Sequence, residues 1–110
     1  MSAKFQIYKS PANSQFYYHL CSPNNEIILK GEGYISKQSC YNGIESVRIN
    51  APLDSRYERK KGINTYSFNL KAANGEIIGT SETYNTEAAR DNGIEAVKRD
   101  APNASIQDLT

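Results

Sequence analysis

Apolar residues recur at every second position in two short stretches near the start of the chain, residues 5–8 and 15–21. This is the period of a strand with one buried face. The second stretch would hold Phe16, Tyr18 and Leu20 on its core face, and Tyr17, His19 and Cys21 on the opposite face. Residues 23–25 are turn formers and lead into a third apolar stretch, residues 26–32. The pattern therefore predicts a three-stranded antiparallel meander.

A helical period follows the meander and predicts a helix over residues 37–49. Ser36 is a suitable N-cap, because its hydroxyl can accept a hydrogen bond from a free backbone N–H of the first turn. The buried stripe would consist of Cys40, Ile44 and Val47. Gly43 lies within the helix, where glycine costs about 1 kcal/mol relative to alanine. We interpret this glycine as a point of close packing, where the helix backbone presses on the sheet.

The whole pattern occurs twice. A shift of 50 residues aligns residues 16–52 with residues 66–102 without a gap, and 14 of these 37 positions are identical. A second helix is therefore predicted over residues 87–99, with Thr86 as its N-cap and Gly93 in its interior. Its buried face would hold Ala89, Ile94 and Val97. Repeat one covers about residues 4–53, and repeat two covers about residues 56–108.

These elements predict an α+β fold made of two tandem β-β-β-α(-β) repeats. They would form one mostly antiparallel sheet with two helices on one face. Residues 57–61 begin the second meander, and residues 105–109 would add a short last strand at an edge. A half of about 50 residues buries its own core poorly. We therefore expect residues 1–110 to form a single pseudo-twofold domain and a monomer.

Composition narrows the class of protein further. Thirteen basic residues against twelve acidic ones give a net charge of +1, which is low for a duplex-DNA binder. No apolar run of about 18 residues is present, so no membrane span is predicted, and the N-terminus shows no secretory signal. The two cysteines form no disulfide framework. We expect a cytoplasmic protein with both thiols free.

The second copy carries a recognisable motif, which runs from Asn69-Leu70-Lys71-Ala72-Ala73-Asn74-Gly75-Glu76 to Asn92-Gly93-Ile94 and ends in Ala101-Pro102. Together with the first copy, which matches the motif less closely, it resembles the YegP-like family over about residues 4–104. That family consists of small bacterial proteins with one or two copies of a domain of unknown function. The resemblance implies one sheet built by both copies and leaves open whether terminal strands are exchanged between them. It implies no reaction and no catalytic residue.

Candidate chemistry is sparse. His19 and Cys21 share a strand face, but a zinc site needs three or four ligands, and Cys40 is assigned to the helix core. A Cys–His nucleophilic pair needs an orienting third group, and the second repeat has Asn69 and Lys71 at the matching positions. We therefore predict no metal, no cofactor and no catalytic residue, and a protein that is not an enzyme.

Two groups of residues are candidates for binding. The first is the open sheet face, represented by Tyr17, His19, Asn69 and Lys71, and the second is a polar pocket of Glu32, Tyr34, Glu82 and Tyr84 between the third strand and the helix. The two tyrosines of the second group would otherwise close the end of the core. The sequence favours a binding or accessory module that recognises a protein or small ligand through the sheet face or edge. The alternative is weak binding of RNA or single-stranded DNA through the aromatic and basic face.

Overall fold

The computed structural model describes residues 2–110, which form seven strands and two helices. In chain order these are β1 (Lys4–Lys9), β2 (Phe16–Cys21), β3 (Ile27–Lys30), α1 (Lys37–Asn50), β4 (Tyr57–Lys61), β5 (Tyr66–Lys71), β6 (Ile77–Thr80), α2 (Glu87–Asp100) and β7 (Ser105–Asp108). The predicted order of elements is confirmed, including the last strand. Each helix has 14 residues, and over residues 2–110 neither has the length or apolar character needed to cross a bilayer.

All seven strands belong to one sheet, in the order β4-β5-β6-β3-β2-β1-β7. Every neighbouring pair is antiparallel except β1 and β7, which are parallel. The two repeats meet at the centre, where Lys30 of β3 pairs with Thr80 of β6. The terminal strand of repeat two, β7, therefore completes the sheet beside repeat one. The fold is α+β, with two tandem repeats that form one mostly antiparallel sheet and two helices on one face.

The register relates the two halves of the sheet position by position. Phe5 of β1 pairs with Leu20, and Tyr57 of β4 pairs with Leu70, so β1 and β4 occupy matching places. The two halves differ at their outer edges, because β7 covers β1 whereas β4 has no outer neighbour among the described strands. Residues 58–61 of β4 are exposed and charged, as is typical of an edge strand protected against further pairing.

The same turn closes the hairpin between the second and third strand of each repeat. In both, the third turn residue has a positive φ, 67° at Asn25 and 87° at Gly75. The amide of Ser22 donates to Glu26 at 2.8 Å, and the amide of Ala72 donates to Glu76 at 2.9 Å. Asparagine and glycine adopt this left-handed backbone more readily than other residues.

Both helices begin as predicted. The Ser36 hydroxyl accepts from the amide of Ser39 at 3.1 Å, and the Thr86 hydroxyl accepts from the amide of Ala89 at 3.0 Å. Gly43 is a point of close packing, but the contact is with the hydroxyl end of Tyr34 rather than with the sheet backbone. Gly93 packs on Tyr84 in the same way. Each glycine therefore makes room for a tyrosine ring between helix and sheet.

The core is shared between the repeats. Its fully buried members include Phe5, Ile7, Tyr18, Leu20, Leu29, Cys40, Ile44 and Val47 from repeat one, and Phe68, Leu70, Ile94 and Val97 from repeat two. The hydroxyl of Tyr18 donates to the carbonyl of Ile78, so a buried hydrogen bond also joins the halves. Each helix packs on strands of both repeats.

Two assignments of buried and exposed residues differ from the sequence analysis. In α2, Ala89 is partly exposed, and the buried residue at the place of Cys40 is Arg90, only 6% exposed. Its guanidinium lies 3.1 Å from the Asp91 carboxylate and 5.8 Å from the centre of the Tyr66 ring. On the open face, Cys21 and Asn69 are buried rather than solvated. The side chain of Gln6 contacts Cys21, and that of Glu58 contacts Asn69.

Candidate binding surfaces

The open sheet face is crossed by a row of polar side chains, one from each strand. In sheet order they are Glu58, Asn69, Thr80, Lys30, His19, Gln6 and Gln107. The Gln6 amide donates to Gln107 at 2.8 Å, and its oxygen lies 2.6 Å from Nε2 of His19. Because an amide oxygen only accepts, Nε2 is the protonated nitrogen of His19. The row is largely hydrogen-bonded to itself.

Ion pairs cover part of the second half of this face. Glu58 accepts from Nδ2 of Asn69 at 2.9 Å and lies 3.4 Å from Nζ of Lys71. These two neighbours hold the pKa of Glu58 below its ordinary value, with the Asn69 hydrogen bond as the larger cause. Nearer the centre, Lys30 lies 3.0 Å from Glu82. Two of the face's lysines are therefore already matched by carboxylates.

The first half carries an aromatic cluster of Tyr8, Tyr17 and His19. The tyrosine rings are stacked, 5.7 Å apart with an interplanar angle of 14°, and the His19 ring lies 5.3 Å from Tyr8. All three side chains are partly exposed, and Nδ2 of Asn13 donates to the Tyr17 hydroxyl at 2.9 Å. The matching positions in repeat two are Lys60, Ser67 and Asn69, so the cluster occurs in one half only.

The four residues predicted for the sheet face therefore fall into two separate groups. Tyr17 and His19 belong to the aromatic cluster on β2, whereas Asn69 and Lys71 belong to the Glu58 network on β5. Two strands separate them, which corresponds to about 14 Å across the sheet. Tyr8 was not among the residues predicted for this face. Its alternation with Phe5 and Ile7 puts it on the open face, and only the β1–β2 register puts it opposite Tyr17.

The histidine and cysteine of this face are not arranged for catalysis. Both point at the Gln6 oxygen, with Sγ of Cys21 at 3.5 Å. Burial raises the pKa of Cys21, whereas a nucleophilic cysteine needs a lowered one. Burial, helped by the charge of Lys30, lowers the pKa of His19. Among residues 2–110, no group of three His, Cys, Asp or Glu side chains could hold a metal ion.

The residues of the predicted polar pocket lie in different environments. Tyr34 and Tyr84 are half-buried against the helix glycines, and burial raises the pKa of each hydroxyl. Glu32 is exposed, and Glu82 is paired with Lys30 across the sheet. Of the four, Tyr84 lines a cavity.

That cavity is a groove of about 500 Å³ between the turn over residues 22–26 and helix α2, and we call it the hairpin groove. Its lining comprises Ser22, Pro23, Asn24, Glu26, Ile28, Tyr84, Ala89, Asn92, Gly93, Ala96 and Arg99. The turn belongs to repeat one and the helix to repeat two. The groove therefore depends on how the repeats pack together, and periodicity within either repeat gives no sign of it.

Comparison with known proteins connects this architecture to a family. A UPF0339 protein from Stutzerimonas stutzeri is 48% identical over 71 residues, which are 64% of this chain and 63% of that protein. YegP of Escherichia coli K12 is 45% identical over 71 residues, 64% of each chain. These relatives are described without an activity.

The solved structures agree over the full length. The solution structure of a UPF0339 protein from Shewanella oneidensis has a TM-score of 0.92 and 46% identity, and covers 100% of this chain and 93% of that one. The solution structure of YegP from E. coli, a protein of unknown function, has a TM-score of 0.92 and 43% identity, over 100% and 95% of the two chains. The model of the domain of unknown function DUF1508 matches residues 12–58 and again residues 64–108. The resemblance seen in the sequence is confirmed, and the chain belongs to the DUF1508 family with two copies of its domain.

Proposed function

We propose that this protein is a non-enzymatic binding module that recognises a partner protein through the aromatic cluster of Tyr8, Tyr17 and His19. The single observation that carries the proposal is the difference between the halves of the open face. One half presents stacked, partly exposed rings, and the other presents Lys60, Ser67 and Asn69 at the matching positions. A sheet of this design therefore does not need aromatic residues there.

A protein partner suits this surface for two reasons. Tyrosine is enriched where protein surfaces meet, because it supplies a large contact area with few rotatable bonds and one polar end. The polar row beside the cluster is hydrogen-bonded internally, so a partner can cover it without leaving many groups unpaired. The ring cluster would form the centre of the contact and the row its rim.

RNA or single-stranded DNA is the second candidate, supported by the stacked rings and by Lys4, which lies on the same face of β1 as Gln6 and Tyr8. It is less well supported, because Lys30 and Lys71 on the same face are paired with Glu82 and Glu58. Binding of nucleic acid relies on cations that are available to phosphates, and the net charge of +1 is small.

The absence of enzymatic activity is also part of the proposal. The thiol of Cys21 is buried with a raised pKa, and its neighbour His19 donates to Gln6 rather than accepting a proton from a nucleophile. We further propose that the module acts as a monomer in the cytoplasm. Both cysteines are free thiols, and the two repeats supply each other's packing surface.

Site-specific photo-crosslinking in cells of the native host tests the proposal. A photoreactive phenylalanine analogue at Tyr17 should yield one or a few discrete protein adducts, and these should be lost on Tyr8→Ala. The same analogue at Ser67, the matching position in repeat two, is the control and should yield none of them. Equal adducts from both positions, or none from Tyr17, would contradict the proposal. Titration with an eight-nucleotide oligo-U at low salt tests the alternative of nucleic-acid binding. That alternative predicts binding that weakens steeply as the salt concentration rises.

A further inference from the structure

The hairpin groove is a second candidate site, separate from the open face. Its volume of about 500 Å³ lies within the range of small-ligand sites, roughly 300–1,000 Å³. One wall is the turn over residues 22–26, and the other is the face of α2 that runs from Ala89 to Arg99. Ile28, Ala89 and Ala96 provide apolar lining, and Tyr84 and Asn92 provide polar groups.

The two walls carry opposite charges that do not pair with each other. Glu26 on the turn is exposed, and no ion pair within residues 2–110 includes it. Arg99 on the helix donates from Nε and Nη2 to the carboxylate of Asp100, at 3.0 and 3.1 Å. A guanidinium has five N–H donors. Asp100 therefore fixes the orientation of Arg99 and leaves three donors for an occupant.

The spacing of these charges sets the length of that occupant. The hydroxyl of Tyr84 would lie 2.5 Å from a Cβ at Gly93, and the antiparallel pairing of Lys30 with Thr80 brings the residues before β3 alongside those after β6. Glu26 and Tyr84 therefore lie beside Gly93, near the middle of the helix wall between Ala89 and Arg99. Arg99 lies six helical residues beyond Gly93, or about 9 Å. An extended peptide of about three residues spans roughly 10 Å.

We propose that the hairpin groove binds a short peptide with free ends, about three residues long and with small apolar side chains. Its ammonium group would lie on the Glu26 carboxylate and its terminal carboxylate on the Arg99 guanidinium. The side chains would contact Ile28, Ala89 and Ala96, and the Tyr84 hydroxyl and the Asn92 amide are available for the peptide groups. A ligand with both charges satisfies the two walls at once, which a simple anion or cation cannot do.

The duplication supplies a natural comparison. In the shift of 50 residues, the counterparts of Glu26 and Tyr84 are Glu76 and Tyr34, but the counterpart of Arg99 is Ile49. The other half therefore lacks the cationic end. A peptide that needs both charges should bind at the hairpin groove and not at its counterpart.

Titration of the ¹⁵N-labelled full-length protein with tri-alanine tests the proposal. The amide signals of Tyr84, Gly93 and Ala96 should shift together with one saturating curve, with a Kd on the order of 1 mM for a ligand of this size. Glu26→Gln and Arg99→Gln should each weaken binding about tenfold, because each removes a charge-assisted hydrogen bond. Both residues are exposed, and unchanged spectra outside the groove would show that the variants are folded. Glu76→Gln is the matched control and should bind like the parent.

A blocked peptide separates recognition of the ends from simple filling of the groove. Acetyl-tri-alanine-amide keeps the side chains and removes both charges, so it should cause no saturable shifts at ten times the Kd of tri-alanine. If it binds as well as tri-alanine, the proposal is wrong. Absence of shifts with tri-alanine itself, or equal weakening by Glu76→Gln, would also overturn it.

Discussion

Replacing Gly43 by alanine should destabilise this protein, although the same exchange stabilises an ordinary helix interior. An alanine Cβ at this position would lie 2.6 Å from Cζ and 3.2 Å from Cε2 of Tyr34, and closer still to the hydroxyl oxygen. Tyr34 has little room to retreat, because its ring stacks on Tyr18 with centres 6.4 Å apart. Tyr18 is itself fully buried.

Two opposing terms decide the sign of the change. Helix propensity favours alanine over glycine by about 1 kcal/mol, and overpacking of a filled core costs about 1–3 kcal/mol. The overpacking term should win, and the net loss in the free energy of unfolding should be about 1 kcal/mol. For a protein of this size, that corresponds to a fall in Tm of about 4 °C.

Urea unfolding at equilibrium measures this loss, provided that the slope with urea is unchanged. Asn42 is exposed and precedes Gly43 in the same helix, so the difference between Asn42→Ala and Asn42→Gly calibrates the propensity term. The double variant with Tyr34→Ala isolates the packing term. In that background, Gly43→Ala should become stabilising by about 1 kcal/mol. The difference in free energy of unfolding between Asn42→Ala and Asn42→Gly is the gain expected from helix propensity alone. The reasoning is refuted if Gly43→Ala stabilises the parent protein by that amount.

Three further results are expected. Because the pKa of His19 is lowered on folding, the unfolded chain binds more protons just below pH 6.5, and the free energy of unfolding should fall between pH 7.5 and 5.5. His19→Asn, the residue of the matching position, should remove most of that fall, and an unchanged pH dependence would contradict the assignment. Burial raises the pKa of Cys40 from 9.0 to about 11. The unfolded chain therefore loses this proton at lower pH than the folded protein does, and the free energy of unfolding should decline as pH rises from 9 towards 11. Cys40→Ala should show a shallower decline. Fragments 1–53 and 54–110 should each lack a cooperative thermal transition by circular dichroism, and a monomeric fragment that melts like the parent would rule out a core that needs both halves.

Local pattern was enough to predict the secondary structure of this chain. Ser36 and Thr86 mark the helix starts by their own chemistry, and the alternation around Tyr18 and Phe68 fixes which strand face is buried. Gly43 predicted close packing, because glycine destabilises a helix interior and a favourable contact must offset that loss. Each of these signals involves residues that are close in sequence, so a single repeat is sufficient to predict its own strands and helix.

The binding surfaces could not be predicted in the same way. Tyr8 joins Tyr17 only through the register of β1 and β2, and the hairpin groove joins Glu26 to Arg99 across 73 positions of sequence. The parallel placement of β7 beside β1 depends on an open edge that exists only once the sheet is assembled. Arg90 replaces Cys40 in the core because its guanidinium finds Asp91 and the Tyr66 ring, and this compensation is not visible in a hydrophobic pattern.

The duplication provides an internal control for separating structural from functional residues. Where both halves keep a feature, packing explains it: Gly43 with Tyr34 recurs as Gly93 with Tyr84, and the cation of Arg48 over Phe5 recurs as Lys98 over Tyr57. Surface positions that differ between the halves are not required by the shared fold, because the other half folds without them. The aromatic cluster and the Arg99 end of the hairpin groove both fall on such positions. Both binding proposals therefore concern positions at which the other half supplies a matched control, Ser67 for Tyr17 and Ile49 for Arg99.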